Sequence, residues 1–283
     1  MNKGDFNPFN ALSKSSENIL GYKVAAVPPG ACADALLEGI SAVSGGVAGG
    51  NAAEAGAVGT GTAAKPLYLA CLNPHSVRMA AADPEAEAAL KGADILIPDG
   101  MGVVLASRIL GGGIKERITG SDVFRELSRR LNERGGASYF FLGSTDETLA
   151  AIEARLSVEF PDIRFAGAYS PPFAEVFSEE ENRAMIEAVN RAAPDVLWVG
   201  MTAPKQEKWI HQNRDKLSVK FIGAVGAVFD FYAGNVQRSH PWFLEHGLEW
   251  LPRLFQEPRR LWRRTFISAP IFFWHVLMQR IKK

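Results

Sequence analysis

Asp99 is the residue in this chain best placed to do chemistry. An apolar run, Ile95 to Ile97, ends in Pro98-Asp99-Gly100, and a helix-like segment begins at Gly102. The pattern predicts a carboxylate at the carboxyl end of a strand, where ligands sit in open α/β sheets. Pro98 and Gly100 suit the turn that would present it. A carboxylate in such a place either takes a proton as general base or caps the helix that follows. Local sequence leaves both readings open.

Other apolar runs end in similar loops. Leu67–Leu72 leads into Asn73-Pro74-His75. The Asn73 carboxamide donates and accepts, which suits sugar hydroxyls, although Asn-Pro also simply opens a helix. Arg117 stands just before a predicted helix, where a guanidinium and free helix N–H groups would make an anion site. Its bland alternative is a solvated loop charge. Phe141-Leu142-Gly143-Ser144 runs from strand to glycine turn to helix, like the first turn of a nucleotide-binding unit, but the chain has neither G-x-G-x-x-G there nor G-x-x-x-x-G-K-[ST]. Tyr169 follows the next strand, where an aromatic ring stacks on a base or packs. In Gly200-Met201-Thr202-Ala203-Pro204-Lys205-Gln206-Glu207, Gly200 permits close backbone approach and Pro204 suits a first helical turn. Lys205 and Gln206 are expected to face the crevice. Gly223 and Gly226, at another strand end, suggest a ligand pressed against backbone, and Asp230, Gly234 and Arg238 follow. No D-x-D occurs, so the paired carboxylates that would hold a divalent ion against a diphosphate are missing in that form. The five histidines show no metal-ligand spacing, and no metal site is expected.

The elements that must position these loops alternate along the chain. Strands are predicted at Ile19–Val27, Leu67–Leu72, Asp94–Ile97, Ser138–Leu142, Ile163–Ala166, Val196–Val199 and Val219–Ile222. Helices are predicted at Cys32–Val43, Pro84–Gly92, Gly102–Leu110, Ser121–Arg134 (with Ser121 or Asp122 as N-cap), Asp146–Phe160, Glu179–Ala193 and Pro204–Leu217. Continuous apolar strands between helices predict an α/β fold: a Rossmann-like, mostly parallel sheet with helices on both faces. Residues 1–18 read as a flexible leader and 19–238 as the α/β domain. Within it, 44–65 is nearly all Gly, Ala, Ser and Thr, a flexible insertion able to bury little. Residues 239–283 form a basic, aromatic C-terminal appendage, with helical pieces expected around Trp242–Phe255, Pro258–Phe266 and Pro270–Ile281.

A chain of 283 residues is long enough for one large α/β domain with an appendage. The formal net charge is zero, yet from Arg253 onward eight Lys/Arg face one acidic residue, Glu257. A basic end points to an anionic partner, membrane surface or nucleic acid. Two cysteines, Cys32 and Cys71, give no disulfide framework and no zinc spacing, and a reducing cytoplasm is the simplest compartment. Met1–Ser16 lacks the apolar core of a signal peptide, and no apolar run is long enough to span a bilayer as a helix.

Taken together, the loops resemble the WecG/TagA/CpsF family of bacterial glycosyltransferases. The matching pieces are Asn73-Pro74, Ile97-Pro98-Asp99-Gly100-Met101-Gly102-Val103-Val104, Arg117-Ile118-Thr119-Gly120-Ser121-Asp122, Phe141-Leu142-Gly143-Ser144, Gly200 to Glu207, and Gly223 to Asp230. Their order and spacing agree over Ile19 to Arg264, leaving out the insertion. The resemblance implies inverting transfer of a sugar from a UDP-sugar to a polyprenyl-diphosphate-linked sugar, at the cytoplasmic membrane face, in teichoic acid, enterobacterial antigen or capsule synthesis. It implies that Asp99 is the general base and that Asn73, Arg117 and Gln206 belong to its pocket. Where the family often has Thr two residues before the pocket Asn, this chain has Cys71, a poorer hydrogen-bonding group. Cys71, Gly143, Ser144, Tyr169, Gly200, Lys205, Gly223, Gly226, Asp230 and Arg238 are the expected nucleotide-sugar contacts. Without D-x-D, the leaving UDP would be stabilised by Arg117, Lys205, helix N-termini and Arg238, with no metal and no cofactor.

A lipid-linked acceptor gives the basic end a purpose. Arg259, Arg260, Arg263 and Arg264 surround Trp262, and Ile271, Phe272, Phe273 and Trp274 follow. Such a mixture suits an amphipathic element lying in the membrane interface, and with a lipid-linked acceptor no nucleic-acid partner is expected. The alternative is a helix packed on the domain or on a second subunit. Two other functions compete: a non-catalytic nucleotide-sugar-binding regulator or scaffold, and a nicotinamide-dependent oxidoreductase, which the missing glycine fingerprint disfavours.

Overall fold

A computed structural model of the chain describes residues 15–45, 65–236 and 262–282. Arg238, most of the 44–65 insertion and the helical piece expected over Trp242–Phe255 lie outside the described residues. Six strands make a wholly parallel sheet: β3 (Leu67–Leu72), β4 (Ile95–Pro98), β5 (Ser138–Gly143), β6 (Arg164–Tyr169), β7 (Val196–Gly200) and β8 (Phe221–Ala224). They lie in the order β4-β3-β8-β7-β5-β6. Side chains alternate across the sheet, as the strand period demands. In β7, Leu197 and Val199 face one apolar layer while Val196 and Trp198 face the other.

Helices cover both layers, as the sequence predicts. The second layer holds α1 (Pro29–Gly45), α5 (Gly120–Glu133), α6 (Asp146–Glu159) and α9 (Val228–Ala233). The first holds α2 (Pro74–Ala82), α3 (Pro84–Lys91), α4 (Met101–Leu110), α7 (Glu179–Ala192), α8 (Lys205–Asn213) and α10 (Ala269–Ile281). Trp198 is the centre of the second layer. Its indole meets the rings of Phe124, Tyr139 and Phe221 at 5.1, 5.8 and 5.5 Å between centroids.

Several local expectations differ from what forms. Ile19–Val27 is not one strand: β1 (Ser16–Ile19) turns at Leu20-Gly21 into antiparallel β2 (Tyr22–Ala25), so residues 16–18 of the expected leader are paired backbone. Leu20 and Gly21 both have positive φ, and Asn18 Oδ1 accepts the Gly21 N–H at 3.1 Å, which closes this turn. The α5 cap is Thr119, not Ser121 or Asp122. Thr119 Oγ1 accepts the Asp122 N–H at 3.2 Å while Asp122 Oδ2 accepts the Thr119 N–H at 2.9 Å, a reciprocal capping box. Strand β8 lies two residues further along the chain than the expected Val219–Ile222, starting at Phe221 and ending through Gly223 and Ala224.

The appendage is docked on the domain. A π-helical turn, Arg263–Ser268, leads into α10, which packs on α4 and α2. Phe272 and Val276 are its buried face, at 1% and 0% exposure. Gln279 Oε1 accepts the Leu20 N–H at 2.8 Å and its Nε2 donates to Asn18 O at 3.1 Å. The opposite face is apolar and open: Trp274 is 63% exposed and Ile281 75%, with Ile271 and Leu277 beside them.

Candidate active site

At the carboxyl ends of the parallel strands lies a cleft of about 1790 Å³. Its wall begins where β3 and β4 end together. The Asp99 N–H donates to Leu72 O at 2.8 Å, so the turn after β4 is tied to the end of β3. Gly100 then takes φ +96°, ψ 159°, a conformation that glycine alone adopts readily, and releases the chain into α4. The result leaves Asp99 half-buried on the cleft wall.

Asn73 does two jobs beside it. Its Oδ1 accepts the N–H groups of His75 and Ser76, at 3.1 and 2.9 Å, and so caps α2. Its Nδ2 donates to Asp99 Oδ2 at 3.2 Å. Helix cap and carboxylate clamp therefore use opposite ends of one carboxamide, which fixes its orientation. Cap and base were alternatives for Asp99 in the sequence. In the structure Gly100 is the N-cap of α4 and no side chain caps it, so Asp99 is not the cap of that helix.

Arg117 arrives through a third connection. The Ile118 N–H donates to Pro98 O at 3.0 Å, which draws the loop before α5 against the turn of Asp99. Arg117 is half-buried and lines the cleft with Thr119, Gly120 and Ser121 at the α5 N-terminus. Ser144 and Thr145 bring the N-terminus of α6 to the same cleft. Two helix starts and a guanidinium thus open on one space, an arrangement that favours negative charge.

The floor comes from α8. Gln206 and Glu207 are both 4% exposed. Gln206 Oε1 accepts the Met201 N–H at 3.2 Å, and its Nε2 donates to Glu207 Oε1 at 2.8 Å. Burial pushes the Glu207 carboxyl above the ordinary carboxylate range. Cys71 Sγ lies 3.7 Å from Ala224 O. Burial pushes its thiol well up, and the Asp99 and Glu207 carboxylates push in the same direction, so this wall carries a neutral thiol. Lys205 lines the cleft with its Nζ bonded to Ala174 O and 3.7 Å from the centre of the Phe177 ring. Burial lowers its pKa.

One cleft therefore gathers Cys71, Asn73, Asp99, Arg117, Ser144, Gly200, Lys205, Gln206, Gly226 and Asp230. Gly143, Tyr169 and Gly223 stand outside its lining, for packing reasons. A Cβ on Gly143 would meet Gly200 O at 2.5 Å, and one on Gly223 would meet the Trp198 ring at 2.3 Å. Tyr169 is half-buried against the first apolar layer. Gly200 lines the cleft but also makes room for Phe229, whose ring would lie 2.4 Å from a Cβ there. Arg238 lies outside the described residues. Three features had no role assigned from sequence: Thr119, Glu207 and the loop Ser170–Phe177, whose Phe173 and Val176 stand exposed at the rim. Thr119-x-x-Asp122 was the available signal for the first; the loop had none beyond its prolines. Among the described residues no three His, Cys, Asp or Glu side chains gather to hold a metal ion.

A sequence model described as the glycosyl transferase WecG/TagA/CpsF family matches residues 51–283. A protein of Bacillus spizizenii named N-acetylglucosaminyldiphosphoundecaprenol N-acetyl-beta-D-mannosaminyltransferase is 32% identical over 213 residues, 75% of this chain and 79% of its own. Proteins of the same name from Bacillus subtilis and Staphylococcus aureus are 31% and 27% identical, over 76% and 77% of this chain and 80% and 83% of theirs.

Proposed function

The chain belongs to the WecG/TagA/CpsF family of glycosyl transferases, and from that premise we propose that it transfers an N-acetylmannosamine-type sugar from a UDP-sugar to N-acetylglucosamine on a polyprenyl diphosphate, with Asp99 as general base. The observation that carries this reading is the pairing of Asn73 with Asp99 on the wall of a cleft that Arg117 also lines. The transferred sugar and the acceptor follow the names of the relatives, and the UDP carrier is part of the proposal.

Transfer needs one bond made and one broken at the anomeric carbon. The acceptor hydroxyl attacks, its proton passes to Asp99, and the bond to UDP breaks with the electron pair leaving on the diphosphate. Single displacement inverts the anomeric centre. Asn73 holds Asp99 Oδ2 by a hydrogen bond to the charged form, which keeps one lone pair engaged and aims the carboxylate. Arg117 and the N-termini of α5 and α6 oppose the charge that grows on the diphosphate. This chemistry calls for no divalent ion and no cofactor.

A lipid-linked acceptor calls for a peripheral enzyme at the inner membrane face. Among the described residues no helix is long and apolar enough to cross a membrane. The open face of α10, with Trp274, Leu277 and Ile281, supports contact with lipid, and the sequence sets Arg263 and Arg264 in the turn just before it.

Release of UDP from purified protein tests the reading. UDP-N-acetylmannosamine with a lipid-linked N-acetylglucosamine diphosphate is expected to give turnover that depends on the acceptor and survives EDTA. No release from any UDP-hexose with that acceptor overturns the assignment, and loss of turnover in EDTA overturns the metal-independent mechanism.

A further inference from the structure

Glu207 is a buried carboxyl that the reaction above does not use. Its Oε2 is enclosed and makes no hydrogen bond, and burial disfavours its charged form. A half-satisfied acid in such a place costs stability, and an apolar residue of similar volume would pack there more cheaply. What the acid does instead is hold Gln206.

The carboxamide of Gln206 sits between one donor and one acceptor. Met201 N–H meets its Oε1 and Glu207 Oε1 meets its Nε2. Turning the amide over would set N–H against N–H on one side and oxygen against oxygen on the other. With both partners present only one orientation is allowed. It leaves the second N–H of Nε2 to serve the cleft that Gln206 lines. Gly226 covers the same amide: a Cβ there would stand 3.5 Å from Oε1 and 3.6 Å from Nε2. The amide is thus held against the bare backbone of that turn.

We propose that Glu207 is a positioning residue, which aims an N–H of Gln206 at an oxygen of the bound nucleotide sugar. The proposal rests on the reading of the cleft as the donor site. Glu207 acts only through Gln206, since its free oxygen is enclosed. Glutamine at 207 keeps an oxygen for Gln206 Nε2; leucine removes it.

UDP release by the full chain, with UDP-N-acetylmannosamine and the lipid-linked acceptor, tests this in a double-mutant cycle. Gln206→Ala is expected to lower kcat about 100-fold, the cost of removing one aimed donor. Glu207→Leu is expected to lose a similar factor, with acceptor KM unchanged and the melting temperature no lower than wild type, and Glu207→Gln to stay within about threefold of wild type. The double variant Gln206→Ala/Glu207→Leu is expected to be no worse than Gln206→Ala alone. If the leucine variant does not fold, Glu207→Met carries the same comparison. Wild-type kcat in a folded Glu207→Leu, or losses that multiply in the double variant, overturns the positioning role alone. Wild-type kcat in Gln206→Ala overturns it together with the place of Gln206 in the site.

Discussion

Replacing Asp99 by asparagine separates chemistry from architecture better than any other change in the cleft. The main-chain bond from Asp99 N–H to Leu72 O persists, and the new Oδ1 still accepts from Asn73 Nδ2. A charge-assisted hydrogen bond becomes a neutral one, a difference of about 1 kcal/mol. Folding and UDP binding are therefore expected to hold. The proton acceptor is gone, and general-base catalysis is worth about 10² to 10⁴ in rate, or roughly 3–5 kcal/mol of barrier. With both substrates saturating, kcat of Asp99→Asn is expected to fall by that factor, with UDP affinity by calorimetry and melting temperature near those of wild type. Asn73→Ala would not serve as well, because it removes the α2 cap together with the clamp on Asp99. A folded Asp99→Asn enzyme with kcat within about threefold of wild type would refute the reasoning.

Gly223→Ala tests the claim that this glycine serves the core. The added methyl would stand 2.3 Å from a Trp198 ring held by three aromatic neighbours, so a loss of about 1–3 kcal/mol is expected as a lower thermal midpoint; an unchanged midpoint contradicts it. Trp274→Glu with Leu277→Glu is expected to abolish sedimentation with anionic vesicles while leaving the melting temperature unchanged, since both side chains are exposed. Unaltered vesicle binding would show that this face of α10 is not the contact.

Much of the fold could be read from runs of apolar residues, because a strand buried on both faces leaves a continuous local signal. Leu67–Leu72 forms over the predicted span, and β5 and β7 each run one residue further. The failures have local causes too. Edge strand β6 is half-exposed along most of its length and its Gly167 and Ala168 are small, so only its beginning reads as a strand. The β1–β2 turn is Leu20-Gly21, which lacks the Asn-Gly or Asp-Gly signature, and one long strand is the natural misreading. Helix α2 has no counterpart among the predicted helices although Asn73-Pro74 reads as a helix opening, because its nine residues, PHSVRMAAA, bury only Val77 and Ala80 and so leave little apolar pattern.

The site divides along a different line. Asp99 and Asn73 are legible as candidates because each follows an apolar run, and Arg117 because it precedes a predicted helix start; the structure brings the three to one cleft. The glycines could not be sorted that way. Gly143, Gly200 and Gly223 make room for a carbonyl, a phenylalanine and a tryptophan from other elements, and sequence shows a missing side chain without showing what fills its space. Glu207 is the converse case. It shares the buried side of α8 with Gln206, Trp209, Ile210 and Asn213, so an acid there breaks the expected pattern of a helix packed on a sheet. Such a break costs stability unless a neighbour needs the charge or the lone pair. Here the neighbour is an amide whose other end is already bound to Met201 N–H, which makes Gln206 and Glu207 one functional unit.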